Sequence, residues 1–308
     1  MFLVVKNNMK PFKSNQVKLK ILIAALFVLE KVYAISPADY QQMLGKGMDV
    51  DWVKTGQGVE TFNSTIVKDF SNIGFSHVRF KIKDNITTSL LLNIDKILET
   101  CLGNNVIPVI AFQAEFFKLW PTDINLDLVV NWWSQIAERY QNMSLKLSFD
   151  IIFEVTKYSS TWLGVARTIP YKQREIGTDA EKKIITNKIK VALDWQTSNN
   201  IYTWVGAWMA GNYNADPKDE IQYTVEEQVG FANFVTCELT KSKIPFAINS
   251  DVWFYDRQKY IWNPNLKPVL DEILKTNCTA IQLKKSNVKK NNSKKRGFKK
   301  AILKISNA

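Results

Sequence analysis

Short runs rich in β-forming residues alternate along this chain with longer segments in which apolar residues recur every three or four positions. The runs fall near residues 45–50, 77–82, 106–112, 148–154, 202–208 and 244–250. Their β-branched and aromatic content predicts strands. The intervening segments, at 59–72, 88–103, 125–141, 179–198, 224–242 and 266–275, carry helical spacing. Asp179 is a candidate cap for the fifth helix, and Thr224 with Glu227 forms the Thr-x-x-Glu pattern of a capping box. Strand alternating with helix is the pattern of βα units around a parallel sheet. The run Leu147-Ser148-Phe149-Asp150-Ile151-Ile152-Phe153-Glu154 has the apolar body of a strand buried on both faces. It ends on a carboxylate, and barrel enzymes place their chemistry at the C-terminal ends of such strands.

The fold class expected is α/β, a TIM (β/α)8-like barrel that is incomplete. Between Val155 and the helix starting near Asp179 the chain has only about 23 residues. A complete βαβ crossover takes roughly 30 or more. Ser160–Val165 offers one short strand at most, so the count comes to six or seven rather than eight. An unclosed parallel sheet exposes its edges and leaves a barrel interior partly unfilled.

Length and composition fit one large core, with 308 residues of which 46% are apolar. The net charge of +12 lies at the ends. Residues 283–308 hold ten Lys/Arg and no acid, and residues 1–34 hold six Lys and one Glu, so residues 35–282 carry about −3. This distribution argues against specific nucleic-acid binding by the folded body. The basic tail reads as a disordered extension able to touch anionic surfaces. Lysines precede the apolar run Ile21–Leu29, and Val32-Tyr33-Ala34 follows as a small-residue cleavage site. Residues 1–34 therefore read as a signal peptide, residues 35–282 as the barrel domain, and the protein as secreted or periplasmic. Cys101, Cys237 and Cys278 form no metal-ligand pair and no disulfide framework, and Cys237 falls on an apolar helix face. The single histidine, His77, removes most zinc and triad chemistry and reads as a satisfied core residue. No metal or cofactor is expected.

The runs Gly74-Phe75-Ser76-His77-Val78-Arg79-Phe80, Leu147–Glu154, Gly177–Lys183, Thr203–Met209 with Gly211–Asn214, and Ile244-Pro245-Phe246-Ala247 resemble glycoside hydrolase family 5. These are the cellulase-like (β/α)8 proteins, and the branch resembled is a divergent bacterial one. The resemblance covers residues 40–275, apart from a gap after Tyr158 where strands five and six would lie. It implies O-glycosyl hydrolysis of β-linked polysaccharide by a retaining mechanism, with an acid/base glutamate after strand four and a nucleophile after strand seven. Glu154 falls on the acid/base, and Phe153 replaces the family's asparagine. Ala207 falls on the nucleophile, and alanine has no lone pair with which to attack an anomeric carbon. A retaining site needs a second carboxylate about 5–5.5 Å from the first. Asp251 is the first substitute, with Asp49 and Glu115 behind it.

Arg79 matches the family's arginine beside the nucleophile and is expected to pair with Glu154 or Asp251. Gln113 falls where the family has a histidine, and Asn249 precedes Asp251 at the last strand end. Trp52, Trp120, Trp208 and Trp253 lie at strand ends or in the loops after them, where indole faces suit pyranose stacking. The expected partner is a β-glucan-like carbohydrate and the expected state a monomer. The alternative is a carbohydrate-binding relic without turnover.

Overall fold

The computed structural model describes residues 35–54, 56–83, 85–151, 179–211, 224–275 and 278. Among them six strands form one parallel sheet in the order β4-β3-β2-β1-β6-β5. These are β1 (Lys46–Val50), β2 (His77–Ile82), β3 (Ile107–Phe112), β4 (Ser148–Asp150), β5 (Val205–Trp208) and β6 (Phe246–Asn249). The strand order is that of a barrel opened on one side, with β4 and β5 flanking the opening. It is an incomplete TIM-like barrel.

Strand alternation sorts the side chains onto two faces. Met48, Val50, Val78, Phe80, Ile82, Ile110, Phe112, Phe246 and Ile248 point outward into the large core. The outer helices meet them there. Ser64–Ile73 brings Ile66 and Phe70, Thr88–Gly103 brings Ile94 and Leu98, and Asp123–Tyr140 brings Trp132 and Trp133. Val225–Lys241 and Lys267–Leu274 close the other flank. Phe112 stacks flat on Trp132 with centroids 4.1 Å apart. Inside the barrel, Ile107 and Val109 pack on Leu44, Tyr40, Met43 and Trp204 as a separate small cluster.

The helix Pro37–Leu44, which the hydrophobic spacing does not reveal, runs across the bottom of the barrel. Its Tyr40 hydroxyl donates to the Lys146 carbonyl (3.0 Å) beside β4, and its Gln41 amide donates to the Thr203 carbonyl (2.8 Å) beside β5. One helix thus tethers both strands that border the opening. Polar caps set the helix starts: Thr87 accepts from the Leu90 amide and Thr122 from the Asn125 amide. Thr224 and Glu227 form the expected capping box. Asp179 is the first helical residue of Asp179–Asn199.

Candidate functional site at the barrel mouth

Register places the inward residues in layers. Gly47 pairs with His77, Asp49 with Arg79 and Asn249, and Lys81 with Ala111, which pairs in turn with Asp150. In the lowest layer the His77 ring lies over Gly47, where a Cβ would stand 2.3 Å from the imidazole. Only glycine fits there. His77 is fully buried, its Nδ1 lies 2.5 Å from the Leu44 carbonyl, and Trp204 Nε1 donates to its Nε2 at 3.2 Å. An indole N–H only donates, so Nε2 accepts and Nδ1 carries the proton. Burial lowers the His77 pKa to about 4, the Leu44 carbonyl working against that shift. The reading of a satisfied core histidine is what the geometry gives.

Above it sits a buried ion network. Arg79 Nε donates to Asp49 Oδ1 (2.5 Å), Nη2 to Asp49 Oδ2 (3.0 Å) and Nη1 to Asp150 Oδ2 (2.9 Å). Lys81 Nζ reaches Asp49 Oδ2 at 3.0 Å and Asn249 Oδ1 at 3.5 Å. Burial works against the Arg79 charge, but the two aspartates outweigh it and raise the guanidinium pKa. Burial likewise raises the Asp150 carboxyl, with Arg79 pulling the other way. The guanidinium rests against Gly206, where a Cβ would lie 2.5 Å from Nη1, and its carbon is 5.5 Å from the Trp204 ring centroid. Arg79 thus pairs with Asp49 and Asp150 rather than with Asp251. Short-range Arg and Lys two positions apart in β2 was the sequence signal for this network, since period-two spacing puts both on one face.

Asp251 opens the short helix Asp251–Phe254 just beyond β6 and is fully buried. Its Oδ2 accepts from Trp52 Nε1 (3.1 Å) and pairs with Arg257 Nη2 (2.8 Å). Arg257 also pairs with Asp51. Burial pushes the Asp251 carboxyl up to about 8, while the Trp52 hydrogen bond and the Lys81 charge pull it the other way. Arg257 comes from the small hairpin of Tyr255–Asp256 and Ile261–Trp262, which sequence periodicity does not reveal because each strand is two residues long.

The tryptophans divide. Trp52 is fully buried against Phe62 and Phe70, with centroids 5.0 and 5.8 Å away, so the expected sugar-stacking face is packed inside the core. Trp208 turns outward onto Phe246 and Phe231 (5.8 and 6.4 Å), because its position in β5 shares the face of the helix layer. Trp120 is 71% exposed beyond the helix Glu115–Leu119, and Trp253 is half-buried on the helix after β6. These two remain at the rim. Gln113 is buried, its backbone N–H donating to the Ile82 carbonyl at 2.8 Å. Glu115 pairs with Lys118. Asn249 is half-buried beside Lys81. Glu154 lies outside the described residues; the last described position before it, Ile151, gives its carbonyl to Trp133 Nε1 at 2.8 Å. Ala207 lies in β5, immediately after Gly206. Among the described residues no group of three His, Cys, Asp or Glu side chains is arranged to hold a metal, and no helix is long and apolar enough to cross a membrane.

No family model matches the chain, and no curated protein does. Solved structures do. Endoglucanase Cel5A from Thermotoga maritima superposes with a TM-score of 0.61 at 15% identity, over 78% of this chain and 100% of that one. ZgEngAGH5_4 gives 0.60 at 13% identity, over 78% and 98%. The cellulose synthase subunit Z of Clostridioides difficile gives 0.58 at 14%, over 75% and 100%. At such identities the likeness speaks for architecture. The chain has the cellulase-like barrel fold of glycoside hydrolase family 5 endoglucanases, six strands of which are described.

Proposed function

We propose that this protein binds β-linked polysaccharide at the C-terminal mouth of its barrel and hydrolyses it slowly or not at all. The observation that carries the reading is Ala207 in β5, where a retaining hydrolase of this fold needs its nucleophile. Support for a glycan comes from structural neighbours: Thermotoga maritima Cel5A has been seen with mannotriose and with cellobiose. Trp120 and Trp253 supply indole faces at the rim. Asp49 and Asp150 are committed to Arg79. Asp251 holds Arg257 and Trp52, and a carboxylate so engaged is a poor nucleophile. Glu154 remains the proton donor of the alternative reading, in which Asp251 or another carboxylate completes a hydrolase. We further infer export through residues 1–34, to a secreted or periplasmic location, and a monomeric state, with residues 283–308 as a basic extension free to touch anionic surfaces.

The test is affinity electrophoresis of the full chain in gels containing soluble β-glucan or β-mannan, together with reducing-sugar release from the same polymers. Retardation without sugar release above a Glu154→Gln control is expected. Turnover that vanishes in Glu154→Gln establishes the hydrolase instead. Absence of retardation by every polymer and of turnover sinks the glycan reading.

A further inference from the structure

The rim tryptophan Trp253 rides on a turn that does not hold itself in place. Asp251–Phe254 follows β6 at the mouth and is four residues long. A helix that short has no stability of its own, and its last carbonyls find no amide within it. The Trp253 N–H donates to the Ser250 carbonyl (3.2 Å) and the Tyr255 N–H to that of Asp251. The carbonyls of Trp253 and Phe254 are taken from outside, both by Asn263. Its backbone N–H donates to the Phe254 carbonyl (2.8 Å) and its side-chain Nδ2 to the Trp253 carbonyl (3.0 Å). The hairpin brings it there: Tyr255 pairs with Trp262 in the antiparallel ladder, so the next residue returns opposite Phe254. Pro264 keeps Asn263 extended, which continues the strand. Asn263 Oδ1 accepts from the Asn265 N–H (3.0 Å), which fixes the amide so that Nδ2 faces Trp253. The hairpin itself rests on the helix Ser64–Ile73. Trp262 and Tyr255 pack on Phe70, with centroids 5.1 and 5.5 Å away, and the Tyr255 hydroxyl donates to Asp69. At the other end of the turn Asp251 is held by Trp52 and Arg257.

We propose that Asn263 is a positioning residue for glycan binding: by holding the Trp253 carbonyl it sets the direction in which the Trp253 indole meets a pyranose ring. The inference rests on the reading of the mouth as a β-glycan site, and adds to it the residue that orients one stacking face. An indole offers a sugar its flat face, so the contact depends on the ring's tilt as well as its presence. Only two side-chain torsions separate that ring from its backbone, and a fixed backbone therefore fixes most of its direction. A turn already ordered before the glycan arrives also spends none of the binding free energy on ordering. Packing alone does not supply this order, since the neighbouring Val252 is 48% exposed and Trp253 only half-buried. Asn263 touches no sugar in this role and acts through Trp253. Aspartate in its place keeps the acceptor for the Asn265 N–H but turns a carboxylate oxygen toward the Trp253 carbonyl, where no hydrogen bond forms. That one change cuts the contact in question and spares the turn that follows.

The experiment uses the full chain as wild type, Asn263→Asp, Trp253→Ala and the double variant. Affinity electrophoresis is run in gels of soluble β-glucan and β-mannan, at a temperature where circular dichroism shows every protein folded. Asn263→Ser, which keeps a turn acceptor without adding charge, is the second variant and is read in the same way. Expected are severalfold weaker retardation in Asn263→Asp and no further weakening when the change is made in Trp253→Ala. A merely structural asparagine would weaken retardation equally in both backgrounds. Amide hydrogen exchange without polymer should quicken in the peptide spanning residues 251–256 and stay unchanged in the helix Thr88–Gly103. Retardation of both Asn263 variants equal to wild type, equal weakening in both backgrounds, or unchanged exchange over 251–256 would each overturn the proposal and leave the glycan reading standing. A wild type that no polymer retards removes the glycan reading itself, and this inference with it.

Discussion

Lowering the pH from 7.5 to 4.5 should destabilise this protein by about 2.5 kcal/mol through His77 alone, given its shift from 6.5 to about 4. The imidazole is fully buried, and burial disfavours its charged form. Arg79 adds to the effect, whereas Asp49 and the Leu44 carbonyl oppose it. Since the folded pKa lies below the unfolded one, the unfolded chain binds the proton more tightly. The stabilisation is therefore complete above pH 6.5 and is lost as pH falls through the window down to about 4. The full shift corresponds to about 3 kcal/mol. Because the sequence holds one histidine, NMR of imidazole-labelled protein shows a single titrating resonance. Urea unfolding of the wild type and of His77→Gln at both pH values removes the carboxylate contributions, which the two share. A smaller loss of stability in the variant, by about that 2.5 kcal/mol, is expected. An imidazole titrating near 6.5 in the folded protein, or equal losses in both proteins, would refute the argument.

Other outcomes follow from the same layers. Arg79→Met leaves Asp49 and Asp150 buried beside one lysine and should cost about 3 kcal/mol, the low end for a broken buried pair because Lys81 still faces Asp49. Adding Asp150→Asn should recover part of it in denaturant titrations, and a cost near zero would mean the pair is solvated. Gly47→Ala drives a methyl into the His77 ring and should cost about 1–3 kcal/mol, whereas Gly103→Ala, with open space around its Cα, should be neutral or stabilising. Trp120→Ala should weaken polysaccharide retardation severalfold with unchanged thermal stability, whereas Trp253→Ala should lower thermal stability as well, because Trp253 packs against the core. Trp52→Phe should lower stability instead, since it removes the hydrogen bond to Asp251.

Much of the fold was legible because hydrophobic period is a local property. The six runs became six parallel strands, and Thr224-x-x-Glu227 became a capping box, since each depends only on neighbours in sequence. The shortage of chain after Val155 likewise announced an open barrel by simple counting. Pairing partners were a different matter. Of the two partners expected for Arg79, Glu154 lies outside the described residues and Asp251 pairs elsewhere; register sets the guanidinium beside Asp49 of β1 and Asp150 of β4.

What the sequence determined by itself, then, was the alternation of elements and their caps. Only the tertiary structure decided which tryptophans face solvent and that Arg257 on a two-residue-stranded hairpin claims Asp251. The reason is that periodicity fixes a side chain's face, whereas burial and partnership depend on strand register and on loops whose spatial course leaves no periodic trace.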